Sequence, residues 1–209
     1  MTKTRLIPRL GANNAAALAQ AFVLDALAKA RATGRRLVIA GDAPHGVVRS
    51  AYFRRLARLF GATLIDQGEG ALGARMRRSL APFCAAGAYL IGTDIPSLPA
   101  PLLLRSLALL RRHPVILAPS VDGGYYLLGV RGALPDIFRG VRWGSSSVLA
   151  ETIARLRRTR IDYALADAWY DVDRWSDLLA LAAQLRLMSR PRSHPCPATA
   201  RILERLGLL

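Results

Sequence analysis

A chain of 209 residues, 52% hydrophobic and 21% charged, is long enough for one α/β domain with a sizeable core and too apolar for disorder. No run approaches the ~18 uninterrupted apolar residues that span a bilayer, and Cys84 and Cys196 are too few for a disulfide framework and lack metal-ligand spacing. The net charge of +16 admits a polyanionic substrate, but the arginine pairs (Arg35-Arg36, Arg54-Arg55, Arg77-Arg78, Arg111-Arg112, Arg157-Arg158) are scattered without interleaved aromatics, which disfavours nucleic acid.

Thr2 to Leu6 comes first, then Pro8 and Gly11, then an Ala-rich helix predicted from about Asn14 to Arg31 and closed by Gly34. Residues 15–28, behind Lys3, Arg5 and Arg9, faintly resemble a signal peptide. Gln20 and Asp25 interrupt that run and no small-residue cleavage site follows, so a reducing cytoplasm is the expected location. Leu37–Ala40 reads as a strand, Val47–Phe60 as an amphipathic helix stopped by Gly61, and Thr63–Asp66 as a second strand. A glycine-rich loop, Gln67 to Gly73, precedes a helix through Arg75, Met76 and Leu80. Tyr89–Ile91 is a short buried strand, Pro99–Arg112 a helix and Val115–Ala118 a strand.

Asp122-Gly123-Gly124 runs into the strand Tyr125–Val130. Ser145–Arg158 is a helix opened by three serines, Ile161–Leu165 a strand, and Trp175–Met188 a helix behind Asp171-Val172-Asp173. A Pro- and Ser-rich tail, 189–197, leads to a short last helix. Strands and helices alternate throughout, which predicts a single α/β domain over 1–209 with a mostly parallel sheet sandwiched by helices. The usual first strand is missing, because the loop that follows it begins at Met1.

Several stretches carry chemistry. Asp94 follows Tyr89–Ile91 at the carboxyl end of an interior strand, where open α/β sheets place their ligand crevice. A carboxylate there suits a hard cation shared with substrate phosphates, or a cap for the helix near Pro99. Asp171 and Asp173 are either second metal ligands or caps, and Asp177 compensates the helix dipole. Lys3 and Arg5, ahead of the first helix, suit a diphosphate. Gly68 and Gly70, with Arg75 at the next helix start, allow close backbone approach to a ligand or form a plain turn. Gly123 and Gly124 imply positive φ or backbone contact with a ligand, with Asp122 and Tyr125 beside them; the alternative is a tight hairpin. Ser145 can hold a phosphate or sugar hydroxyl, or only cap its helix. His45, His113 and His194 form no triad-like pattern and read as surface residues.

Six ordered segments, KTRL, QGEGALGARM, IGTDIPSL, DGGYYLLGV, VRWGSSSV and YDVDRWSDL, resemble a bacterial family of GT-A-like, glycosyltransferase-like proteins, distantly similar to 2-phospho-lactate guanylyltransferase. The resemblance covers about residues 2–206. It implies a nucleotide-diphospho-sugar transferase fold with Mg or Mn, phosphate binding by Lys3 and Arg5, metal binding by Asp94 and Asp173, and substrate contact from Asp122 to Gly124. The family carries a strand and a Lys-x-Pro-x-x-Gly loop before Lys-Thr-Arg that this chain lacks, Ala71 replaces a usual Asp, and Arg174-Trp175 replace Thr-Pro. The lost strand predicts either a start upstream or an inactive chain.

The reading that follows is metal-dependent glycosyl transfer from a nucleotide diphospho-sugar to a small-molecule acceptor. In it Asp94 with Asp173 or Asp171 holds the cation, Lys3 and Arg5 neutralise the leaving group, and Asp122 serves as base. Nucleotidyl transfer from a nucleoside triphosphate is the alternative, set lower because Tyr125-Tyr126 stands where guanylyltransferases have Thr-Asn. A non-catalytic, basic anion- or nucleic-acid-binding module is the third.

Overall fold

The computed structural model describes residues 3–188 and 194–209. Thr2 of the predicted Thr2–Leu6 segment and positions 189–193 of the predicted tail lie outside the described residues. A 3-10 turn, Thr4–Leu6, and a short helix α1 (Ile7–Leu10) lead through Gly11 into α2 (Ala12–Ala32). Then follow β1 (Val38–Gly41), α3 (Ala51–Phe60), β2 (Thr63–Asp66), α4 (Leu72–Leu80), β3 (Ala88–Ile91), α5 (Ala100–Leu109) and β4 (Val115–Pro119). The remaining elements are β5 (Tyr125–Val130), α6 (Val148–Arg158), β6 (Tyr163–Leu165), α7 (Trp175–Leu187) and α8 (Pro197–Arg205). Among the described residues no helix is long and apolar enough to cross a membrane.

Pairing departs from the mostly parallel expectation. β1 and β2 form a parallel two-stranded sheet, and a four-stranded sheet runs in the order β3-β5-β4-β6. Within it β4 and β6 are parallel, whereas β5 is antiparallel to both neighbours, so the sheet is mixed. The cause is local. Gly123 N–H donates to Ser120 O at 3.1 Å and Ser120 N–H to Gly124 O at 3.0 Å, closing a tight hairpin between β4 and β5. Parallel neighbours need a long crossover, so a turn this short forces the antiparallel sense. β1 and β3 are each paired on one side only, and no strand precedes α1 among the described residues.

Side-chain alternation along β4 builds two cores. Val115 and Leu117 pack with Leu128, Val130, Ile137 and Leu156 beneath α6, while Ile116 and Ala118 pack with Leu103, Leu107 and Leu127 beneath α5. A strand covered on both faces reads as an unbroken apolar run, which is why Val115–Ala118 was legible. Each fully buried aliphatic side chain contributes roughly 1.5–3 kcal/mol. A separate helical cluster joins Leu18 and Phe22 of α2, Leu178 and Leu181 of α7, and Leu203 of α8 around Leu6 and Val172. Asp25, buried in α2, accepts from Ala198 N–H (2.9 Å), Thr199 N–H (2.8 Å) and Thr199 Oγ1 (2.6 Å), satisfying the exposed donors at the start of α8. That cluster seats the N-terminal residues against Val172, and so brings Lys3 to the segment carrying Asp171 and Asp173.

Candidate functional site

The site forms where β3 and β4 end. Antiparallel pairing of both with β5 makes β3 and β4 parallel to each other, so Asp94 after β3 and Ser120 after β4 emerge on one edge. Ile95 and Leu98 are buried beneath α5 and hold the turn that follows Asp94. The segment from Trp169 to Asp173 is sewn between these ends. Trp169 N–H donates to Pro119 O at 3.0 Å, Val121 N–H to Trp169 O at 3.0 Å, and Val172 N–H to Asp94 O at 2.8 Å. Buried Ser97 accepts from Trp169 Nε1 at 3.2 Å and donates to the Tyr170 hydroxyl at 2.8 Å. Successive side chains of an extended segment point to opposite sides, so Val172 turns into the core while Asp171 and Asp173 turn out together.

Lys3 closes the group. Its Nζ lies 2.7 Å from Asp94 Oδ1 and 2.7 Å from Asp173 Oδ1, and donates to Val172 O at 2.8 Å. Three acceptors match the three N–H bonds of an ammonium. The Lys3 side chain is only 9% exposed, against 39% for each carboxylate, and it stands 5.3 Å from the centroid of the Phe22 ring. Asp171 accepts a hydrogen bond from the Ser120 hydroxyl. Burial pushes its carboxyl up to about 6; the Ser120 bond opposes this, and the charges of Asp122, Asp173 and Asp94 add to it. Asp122 is exposed at the rim, its Oδ1 accepting Gly124 N–H at 2.9 Å.

Two carboxylates sharing one positive centre are a hard-oxygen donor set of the kind Mg or Mn takes. Among the described residues no group of three or more His, Cys, Asp or Glu side chains is arranged to hold a metal by itself. A cation bound by one or two carboxylates completes its shell with water and substrate phosphates, so the pair fits such an ion once the Lys3 ammonium yields the position.

The other predicted residues divide. Gly68 (φ 68°) and Gly70 (φ 101°) shape the loop after β2, as expected of a tight turn. Arg78 fills it, with Nε donating to Gln67 O at 2.8 Å and Nη2 to Glu69 O. Arg75 pairs with Gln67 and, at 3.3 Å, with Asp42, linking the loop to the end of β1. No ion pair or hydrogen bond joins this loop to the Asp94 group among the described residues. Gly123 is needed for packing as well as for its φ of +91°, since a Cβ there would overlap the Ser146 carbonyl; its own carbonyl accepts Leu149 N–H at 3.0 Å.

Two further predicted residues have partners within the chain. The ring of Tyr125, a predicted substrate contact, packs against the core cluster of Leu128 and Val130, edge-on to Trp143 at 6.4 Å; the register shift between Ala118 and Pro119 breaks the strand's alternation and turns it to that face. Ser145 was offered to a phosphate or sugar; its hydroxyl donates to Arg142 O at 2.7 Å and meets Ser147 Oγ at 2.7 Å, in a network that ends on Glu151. Arg5 is exposed and makes no ion pair with the acidic group among the described residues. Ser120, Ser97 and Trp169 were missed, since their roles come from a parallel bridge between Ser120 and Trp169 that no sequence motif announces.

The family model described as "Uncharacterized protein conserved in bacteria (DUF2064)" matches residues 23–145, a span that holds Asp94, Asp122 and the glycine-rich loop but not Lys3, Asp171 or Asp173. No curated protein matches the sequence. A crystal structure from Desulfovibrio desulfuricans G20, of a protein provisionally named nucleotide-diphospho-sugar transferase, is similar with a TM-score of 0.82 and 29% identity, over 98% of this chain and 89% of that one. The chain therefore has the nucleotide-diphospho-sugar transferase fold and belongs to the DUF2064 family.

Proposed function

We propose that this chain transfers a glycosyl group from a nucleotide diphospho-sugar to a small-molecule acceptor, in the crevice at Asp94 and with a divalent cation. The observation that carries the reading is the sharing of one positive centre by Asp94 and Asp173, each 2.7 Å from Lys3 Nζ, beside the half-buried Asp171. Departure of a nucleoside diphosphate develops negative charge, and fixed positive charge in a partly dry site stabilises it by several kcal/mol. Asp94 and Asp173 are the residues for Mg or Mn, which when bound supplies charge neutralisation at the diphosphate. The Lys3 ammonium, once it has yielded that position, turns to the diphosphate, and Arg5, on the same turn, extends the positive wall. Asp122, exposed at the rim and holding one backbone bond among the described residues, takes the proton of the acceptor hydroxyl.

The preference for glycosyl over nucleotidyl transfer rests on Tyr125-Tyr126 standing where guanylyltransferases have Thr-Asn, so the test has to separate the two. Thermal shifts are measured with Mn against UDP-, GDP- and CDP-sugars and against nucleoside triphosphates, since stabilisation follows occupancy of the folded state. The expected result is saturable, Mn-dependent stabilisation by a nucleotide diphospho-sugar that Asp94→Asn abolishes. A response to triphosphates alone points to nucleotidyl transfer, and an unchanged Mn-dependent response in Asp94→Asn refutes the site.

A further inference from the structure

At the end of the sheet opposite Asp94, three arginines from separate segments converge on one tyrosine. Arg35 precedes β1, Arg111 follows α5 and Arg131 follows β5; with Gly87, Tyr89 and Leu110 they line a cavity of about 280 Å³. The Arg35 guanidinium stands 5.3 Å from the centroid of the Tyr89 ring. The ring lies flat on the sheet because Gly129 opposite it has no side chain, a Cβ there coming within 3.0 Å of the ring. The Tyr89 hydroxyl is tied to Leu107 O at 2.6 Å, and Arg131 gives one N–H to Arg111 O at 3.2 Å. None of the three arginines has a carboxylate partner within ion-pair distance among the described residues. Burial pushes the Tyr89 hydroxyl up, and the charges of Arg35, Arg111 and Arg131 all pull it back, so the three act on one point.

We infer that this cavity binds a small phosphate-type oxyanion, at a site separate from the Asp94 crevice. The three arginines are solvent-exposed, yet all line one concavity with no acid within ion-pair distance among the described residues, so their mutual repulsion is relieved there by an anion. The planar guanidinium fork matches phosphate oxygens two at a time, which a chloride ion cannot exploit. The volume is below the range of about 300–1,000 Å³ usual for drug-sized ligands, so it suits inorganic phosphate, pyrophosphate or the phosphoryl end of a small acid rather than a nucleotide. Gly87 immediately precedes the four residues of β3 and Asp94 lies three residues beyond its end, so at ~3.3 Å per residue the strand alone puts roughly 13 Å between the two places.

Binding is read by titration calorimetry in EDTA at constant ionic strength, with inorganic phosphate, pyrophosphate and a phosphorylated hydroxy acid as separate probes. Wild type is expected to bind at least one of them saturably, and the probe that binds tightest identifies the source. R35Q/R111Q/R131Q should weaken that binding about tenfold or more, whereas R58Q/R158Q/R205Q, which removes the same charge from exposed arginines elsewhere, leaves it within about twofold. R111Q alone, at an exposed position, should weaken it measurably and covers the case in which the triple variant fails to fold. Equal loss in both triple variants, retention in R35Q/R111Q/R131Q or R111Q, or no saturable binding to wild type overturns the inference.

Discussion

Lys3→Met is the sharpest probe of the acidic group. The side chain keeps an unbranched apolar stem of nearly the same reach, and what goes is the ammonium, together with its position 5.3 Å from the Phe22 ring centroid. Its loss leaves the Asp94 and Asp173 carboxylates facing each other and Val172 O without its donor. Breaking a fully buried pair costs about 3–5 kcal/mol, but each carboxylate here is 39% exposed, and solvent reduces the figure to about 2 kcal/mol. In a chain of 209 residues that lowers Tm by roughly 4–8 °C. The assay is a thermal scan in EDTA and again across a Mn series. A cation that replaces the ammonium should restore the lost stability, so Mn stabilises Lys3→Met more than wild type; the variant's own gain is about 2.7 kcal/mol once Mn reaches a hundredfold excess over its Kd. Equal Mn responses in the two proteins, or no loss of stability in EDTA, refutes the view that Lys3 stands where a cation binds.

Two further outcomes follow from the same geometry. Asp171, raised from 3.8 to about 6, binds its proton more tightly folded than unfolded, so its contribution to stability is full below 3.8 and is lost as pH rises through 6. Asp171→Asn should therefore gain about 1–2 kcal/mol over wild type at pH 7.5 and nothing near pH 4, by urea titration in EDTA; a pH-independent difference contradicts it. Gly123→Ala should cost about 2 kcal/mol or more, from a positive φ and overlap with the Ser146 carbonyl, and unpin the start of α6 in hydrogen exchange.

How far the chain could be read from its letters depended on how local each determinant was. Thr63–Asp66 and Tyr125–Val130 are legible to the residue, the first ending before Gln67 and the second lying between Gly124 and Arg131. Helix α3 begins at Ala51, four residues later than the amphipathic pattern from Val47 implies. The structure instead gives Val47 N–H to Asp66 Oδ1 at 2.8 Å, a partner nineteen positions away. Helix α6 likewise starts at Val148 rather than Ser145, since the serines satisfy one another and Glu151 before the helix begins. The direction of β5 was the largest structural surprise, although its cause, the Asp122-Gly123-Gly124 turn, had been weighed as a hairpin. In the site, Asp94, Asp171 and Asp173 were singled out separately, and what sequence could not supply was the stitching by Trp169 and Ser97 that brings them together.

Composition makes that convergence informative. The chain has 14 acidic residues against 30 Lys and Arg, so an acid placed by folding alone has abundant cations to choose from. Yet Asp94, Asp122, Asp171 and Asp173 gather where their charges act on one another, with Lys3 paired to two of them, and Asp171 is left half-buried with a weakened acidity. Crowding like charges is unfavourable in the absence of a guest and becomes favourable when a divalent cation arrives. At the far end of the sheet the same imbalance recurs with opposite sign, three arginines without an acid. Packing requires neither arrangement, since the apolar clusters are complete without them. The two unbalanced ends are therefore best explained by charged ligands of opposite sign, and an end that binds nothing in its own titration loses that explanation.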